Sequence, residues 1–191
     1  GIVIDGIGFT GIMIVFLAVV AATFLFSNYP KVKIPQRSEL NRGDVRQMVA
    51  WALGQIEDST AVSSLTPLLK DPDTNVRVVT AWALGQIEDP AAVPALTGLL
   101  RDTNAEIRQN AAWALGQIES PAAVDDLVGA LADSDVEVRR KVVWALGQIE
   151  DQRALPGLAG ALKDGDAEVR SHAAWAIGEL EPATAPAALI E

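Results

Sequence analysis

The side chains able to do chemistry are few. The chain has no cysteine, one histidine (His172) and one tyrosine (Tyr29). Disulfides, thiolate nucleophiles and cysteine metal sites are therefore excluded, and acid–base chemistry has a thin supply of groups. Two patterns look chemical. Gly6-Ile7-Gly8-Phe9-Thr10-Gly11 fits the glycine-rich turn that cradles a dinucleotide. That turn needs a soluble strand–turn–helix unit and an acidic residue about 20 positions on; here the next segment is apolar, and residues 28 to 34 offer Lys31 and Lys33 instead. Asp71/Asp73, Asp133/Asp135 and Asp164/Asp166 resemble paired calcium ligands. They lack the twelve-residue loop with its central glycine and closing glutamate, so they read as helix caps. His172 has no second ligand or nucleophile nearby in sequence and reads as a surface residue. No catalytic residue, metal site or cofactor is expected, and the chain reads as a non-enzyme.

What remains conspicuous is repetition. Trp-Ala-Leu-Gly-Gln-Ile-Glu-Asp stands at Trp51–Asp58 and Trp82–Asp89. It returns as Trp113–Ser120 and Trp144–Asp151, and loosely as Trp175–Pro182. The tryptophans fall at 51, 82, 113, 144 and 175, a step of 31 residues each time. A fixed period of this size marks a solenoid, whose units bury their apolar faces only against neighbours. Asp102–Ile118 reads as one capped helix, here called B. Ser120 then caps Pro121 at the first position of a helix A that runs to about Ala132, and Asp89-Pro90 does the same one unit earlier. Short connections make A and B antiparallel.

Aligned on the period, arginines recur at Arg46, Arg77, Arg108, Arg139 and Arg170. Asp71, Asp102, Asp133 and Asp164 stand six residues before the last four. A structural Asp–Arg ladder between units follows, because a planar guanidinium bridges carboxylates in adjacent rungs.

Helix B turns about 100° per residue. Val45, Val49, Ala52, Leu53 and Ile56 then share one apolar stripe, and Trp51 falls about 140° from its centre. The tryptophans thus stand off the main core. Beside them lie Gln55, Gln86, Gln117, Gln148 and Glu179. Five exposed indoles would present on the order of 750–1,250 Å², whereas an apolar patch on a monomer seldom passes about 600 Å² without a function. Two readings stay open: a partner-binding stripe formed by Trp51, Trp82, Trp113, Trp144, Trp175 and the glutamines, or indoles packing on a neighbour's Ala or Gly between repeats.

The pattern D-x-x-x-x-V-R-x-x-A-A-x-A-L-G-x-I/L followed by D-P-x-A-V-P-x-L resembles the short HEAT-like repeats of the phycobilisome-lyase type. Asp102–Leu127 follows it closely, and the resemblance covers about Asp44 to Glu191. It implies an all-α, right-handed α-solenoid of helical hairpins whose helix-B face is concave. The family includes chromophore-lyase subunits, adaptors and repeat domains attached to membrane proteins. The fixed tryptophan departs from the family's usual variation.

Ahead of the repeats, Gly6 to Tyr29 carries no charge, and Ile7–Phe26 supplies 20 consecutive, mostly apolar residues. That length spans a bilayer. Phe24, Phe26 and Tyr29 suit the interfacial aromatic belt. A signal peptide fits poorly, for want of a positive leading region. Ala18 and Ala22 form a weak helix-pairing signal. The proline-bounded segment Pro30–Pro35 reads as an extended stalk. Residues 1–29 are thus expected to form a transmembrane helix, 30–43 a basic, proline-containing stalk, and 44–191 a domain of about five repeats. Pro182–Glu191 reads as the start of a further helix A, with continuation of the chain or another subunit covering that end.

Charge follows the same division. Lys31, Lys33, Arg37, Arg42 and Arg46 face Glu39 and Asp44, a net +3. From Gln47 onward 10 cations face 22 anions, a net −12. Cations after the span and only Asp5 before it place the repeats in the cytoplasm, at a bacterial inner membrane or equivalent. The missing initiator Met points to processing or truncation. So acidic a surface excludes nucleic acid as partner. The expectation is a membrane-anchored scaffold that binds a partner protein, an integral-membrane complex, with lipid contacting residues 7–26. The alternatives are a chromophore-lyase-like or chaperone accessory subunit, or the sensor domain of a longer membrane enzyme.

Overall fold

The computed structural model describes residues 42–180. Ile7–Phe26, the proposed stalk up to residue 41 and Pro182–Glu191 lie outside the described residues. Within 42–180 no helix is long and apolar enough to cross a membrane.

The described chain is helical throughout. Five B helices run as α1 (Arg42–Ile56), α3 (Thr74–Ile87), α5 (Ala105–Ile118), α7 (Val136–Ile149) and α9 (Ala167–Glu179). Between them lie shorter A segments containing α2 (Val62–Leu65), α4 (Val93–Leu99), α6 (Val124–Ala130) and α8 (Leu155–Ala161). Each A segment opens with a 3-10 turn, such as Pro90–Ala92. Each B helix packs on the next B helix, while α4, α6 and α8 pack on the B helices that follow them. The result is an all-helical solenoid.

Local chemistry sets the boundaries. The B helices start at Asp73, Asn104, Asp135 and Asp166, whose side chains accept from backbone N–H groups two residues on. The cap of α5 is therefore Asn104 rather than Asp102, which is engaged elsewhere. Asp58, Asp89 and Asp151 start the A segments in the same way. Ser120 occupies that position with extended backbone but makes no capping hydrogen bond through its side chain. Its role is thus narrower than its residue type predicts; Pro121, with φ preset, still opens the turn. Four B helices end on a left-handed glutamate: Glu57, Glu88, Glu119 and Glu150, with φ of 52° to 56°.

The core is the expected stripe. Ile107, Ala111, Ala114, Leu115 and Ile118 are buried, as are Val138, Val142, Ala145, Leu146 and Ile149 one repeat later. Leu96 and Leu127 fill the other side from the A segments. A buried side chain of this size contributes about 1.5–3 kcal/mol. In α3 the polar Thr80 joins the stripe at 0% exposure, and its hydroxyl donates to the Val76 carbonyl at 2.6 Å. In α1 no described A segment covers the stripe, and Val45, Val49 and Ile56 remain 48%, 45% and 50% exposed.

Candidate functional site

The row of B helices is held by two seams. The first is steric. A β-carbon built on Gly85 would stand 2.7 Å from Cζ3 of Trp113 and 2.8 Å from Cα of Ala114. At Gly116 the same atom would meet Cζ3 of Trp144 at 2.6 Å, and at Gly147 that of Trp175 at 2.5 Å. At Gly54 it would meet Cα of Ala83 at 2.7 Å and Trp82 at 3.1 Å. Each indole from Trp82 onward therefore lies over a glycine of the preceding B helix, in space that only hydrogen leaves open.

That seating uses one edge of each ring. Trp82, Trp113 and Trp144 pack against the core yet stay partly exposed, and Trp175 is 37% exposed. Trp51 is also half-buried. Gln55, Gln86, Gln117 and Gln148 are half-buried on the same helices, and Glu179 is exposed. The face thus presents a broken column of indole edges and carboxamides. Its exposed apolar area is smaller than five free rings would give, because the glycine seats hide part of Trp82, Trp113, Trp144 and Trp175. His172 is exposed at one end.

The second seam is electrostatic. Arg108 donates through Nε to Asp133 Oδ2 at 2.7 Å and through Nη2 to Oδ1 at 2.8 Å. Its Nη1 donates to the Asp102 carbonyl at 2.9 Å. One guanidinium thus grips the carboxylate of the next repeat and the backbone of its own. Arg139 repeats this with Asp164 and the Asp133 carbonyl. Arg46 forks onto Asp71 at 2.6 and 3.0 Å. At Arg77 the rung is loose: Nε lies 3.6 Å from Asp102 and is buried without a hydrogen-bond partner. Arg170 donates to the carbonyls of Asp164 and Gly165.

The ladder between units is the one the residue types suggest: Arg46, Arg108 and Arg139 each pair with the carboxylate 25 residues on, in the next repeat. The carboxylate six residues earlier offers its backbone carbonyl to the arginine, while its side chain serves the previous repeat. It also accepts the backbone N–H two positions on, as Asp133 does from Asp135 at 2.8 Å. Arg108 holds the Asp133 carboxyl below the usual carboxylate range, and Arg139 does the same for Asp164. For Asp71 the hydrogen bond from Arg46 leads, followed by the N–H of Asp73.

A further network stands one residue on. Arg140 donates to both oxygens of Asp166, at 3.0 and 2.8 Å, and bridges Glu137 and Glu168. In the preceding repeat Gln109 reaches Asp135 at 3.3 Å. Residue-type reasoning passed over this pair because the position varies between repeats. Among the described residues no three His, Asp or Glu side chains are placed to hold a metal ion. Among the described residues the two seams stiffen the row of B helices and the face that carries the indoles.

Comparison with known proteins agrees with this architecture. A family model described as HEAT repeats matches residues 38–107, 63–140, 96–178 and 129–191. The chain is similar in fold to the complex of CpcE and CpcF of phycocyanin lyase from Nostoc sp. PCC7120, with 24% identity and a TM-score of 0.67 over 82% of this chain and 70% of that one. It is similar to a designed armadillo repeat protein in complex with a (KR)4 peptide, with 22% identity and a TM-score of 0.59, covering 75% and 78%. An engineered protein is 26% identical with a TM-score of 0.59, covering 73% and 71%. No curated protein matches the sequence.

Proposed function

The chain belongs to the HEAT-repeat family, and from that membership we propose a non-catalytic, membrane-anchored scaffold whose row of B helices holds a partner protein. One observation carries the reading. Every indole from Trp82 to Trp175 is fixed by a glycine seat on one edge and keeps another edge accessible, in register along the row. Rigid aromatic edges lose little entropy on binding, which suits them as anchors.

Charge specifies the partner further. The net −12 from Gln47 onward favours a basic segment. The similar fold of a designed protein in complex with a (KR)4 peptide supports a basic one. Ile7–Phe26 serves as the anchor, with the repeats in the cytoplasm and the basic segment supplied by an integral-membrane partner. Confinement to the bilayer raises the effective concentration of that partner with no new contact. The fold likeness to the CpcE–CpcF complex favours a second reading, an accessory subunit of lyase type.

The test is co-purification of the full chain in mild detergent. Gln86→Lys, Gln117→Lys and Gln148→Lys together add positive charge beside the indoles without touching the glycine seats. The expected result is at least tenfold loss of the co-purifying protein with the melting curve unchanged. Retention of that protein at equal yield rejects the reading. A chromophore-carrying protein among the captured species would favour the lyase-type accessory instead.

A further inference from the structure

Among the contacts between neighbouring B helices, the one between α3 and α5 is built differently. At the others an arginine forks onto the aspartate of the next repeat. Arg46 meets Asp71, Arg108 meets Asp133 and Arg139 meets Asp164, with Nε 2.6 to 2.7 Å from Oδ2. Between α3 and α5, Arg77 Nε stands 3.6 Å from Asp102 and is buried without an acceptor. A buried donor left in that state carries an unrecovered desolvation cost. In Arg108 and Arg139, Nη2 completes the fork; in Arg77 it donates to Thr74 Oγ1 of its own repeat, at 3.4 Å. The matching residues of the other repeats are Gly43, Ala105, Val136 and Ala167, which have no hydroxyl.

The pull from the next repeat is weaker too. Asp135 and Asp166 add their charge at Arg108 and Arg139, whereas the matching residue beyond Arg77 is the neutral Asn104. A second link is also missing. Gln109 reaches Asp135 and Arg140 reaches Asp166, but Val78 holds that position in α3 and has nothing to donate. Val78 and Val79 pack on the core, and apolar contact is non-directional, so it tolerates a small shift. The other end of α3 is pinned. A β-carbon on Gly85 would stand 2.8 Å from Ala114 Cα, so the two backbones touch there.

We propose that the α3–α5 contact is a two-position joint, hinged at the Gly85 seat, in which Arg77 passes between Thr74 and the Asp102 carboxylate. In the closed position the gap falls from 3.6 Å to the 2.7 Å of its counterparts, and Nε gains its acceptor. Arg77 lies eight residues before Gly85, a lever of about 12 Å, so closure needs a rotation of about 4°. The joint divides the indole row, with Trp51 and Trp82 on one side and Trp113, Trp144 and Trp175 on the other. With helices about 8–10 Å apart, the rotation carries Trp175 about 1–2 Å relative to Trp82. The bond that Arg77 makes thus sets the curvature of the indole face. The joint is independent of what that face binds.

The test uses the full chain in mild detergent, labelled with 15N in arginine and tryptophan. Relaxation dispersion on the microsecond-to-millisecond scale is measured at the arginine Nε–H and indole N–H signals. Arg77 is expected to show exchange between two states, and Trp82 or Trp113 to show it with the same rate, while Arg108 and Arg139 show none. Thr74→Val removes the competing acceptor and Asn104→Asp restores the second charge. Each is expected to abolish the dispersion and to slow solvent exchange of the Arg77 Nε–H at least tenfold. Two variants are used so that a failure of one to fold leaves the other. Absence of dispersion at Arg77, or dispersion that persists in every folded variant, overturns the proposal. Dispersion at Arg77 with none at either indole also overturns it, since the side chain then flips without moving the helices.

Discussion

Two residue types carry unusual conformational or electrostatic loads. Glutamate closes four B helices in the left-handed region, which costs an L-residue about 1–2 kcal/mol. Glycine is free of that cost at a helix terminus. Glu119→Gly is therefore expected to raise stability by about 1 kcal/mol, read as an upward shift of the thermal midpoint; an unchanged or lower midpoint would show that the glutamate side chain compensates. The second load is on the ladder carboxylates. Asp133 and Asp164 titrate below their ordinary range because arginine donates to them in the folded state. The sign is fixed: the charged form is favoured by folding, so the stabilisation is fully present above the unfolded carboxylate pKa of about 3.9. It disappears as pH falls through the lower folded values. Melting temperature should stay level from pH 7 to 5 and drop steeply below about 4. Asp133→Asn should melt lower at pH 7 and show a shallower acid drop; an equally steep drop would place the acid sensitivity elsewhere.

At the scale of elements, the glycine seat separates two kinds of glycine that look alike in sequence. Gly85→Ala puts a methyl group 2.8 Å from the Ala114 backbone, which cannot yield as a flexible side-chain tip would. Such overpacking costs roughly 1–3 kcal/mol. Gly129→Ala in α6 meets nothing and should stabilise by about 0.5–1 kcal/mol through helix propensity. Chemical denaturation of both variants checks the contrast, and equal effects would contradict the seat. Much of this level was legible beforehand. The 31-residue step gave the hairpins, and the 100° projection of Val45, Val49, Ala52, Leu53 and Ile56 marked the positions that are buried in the inner repeats. The packing of an indole on a neighbour's Ala or Gly was one of the two readings left open; which glycine serves each indole was not resolved. The indoles sit off the stripe, yet helix-wheel angles refer to one helix and cannot say that Gly85 is the floor under Trp113. The ladder of Arg108 and Asp133 between units was legible from the residue types; that the aspartate six residues earlier offers its backbone carbonyl instead of its carboxylate was not. Ser120 holds the cap position ahead of Pro121, but its hydroxyl does not bond the N–H it could serve.

For the whole molecule, both seams repeat with the period, so they stiffen the row of B helices as a unit rather than any single hairpin. A solenoid's stability is close to a sum of repeats and interfaces. A damaged rung in the middle should therefore be felt by both neighbours. Arg108→Met leaves Asp133 half-buried without its cation and is expected to cost about 1–2 kcal/mol. Hydrogen exchange should quicken in α5 and α7 together, while α1 keeps its wild-type rates; a change confined to α5 would show that the rungs are not coupled.

The central claim is that the accessible edges of the seated indoles are covered by a partner. Oxidative footprinting of the full chain, in native membranes and after purification, measures it at each tryptophan. The account predicts that Trp82, Trp113 and Trp144 are at least several-fold less reactive in native membranes than in the purified protein. Equal reactivity in both states would contradict it and leave the tryptophans as packing between repeats alone.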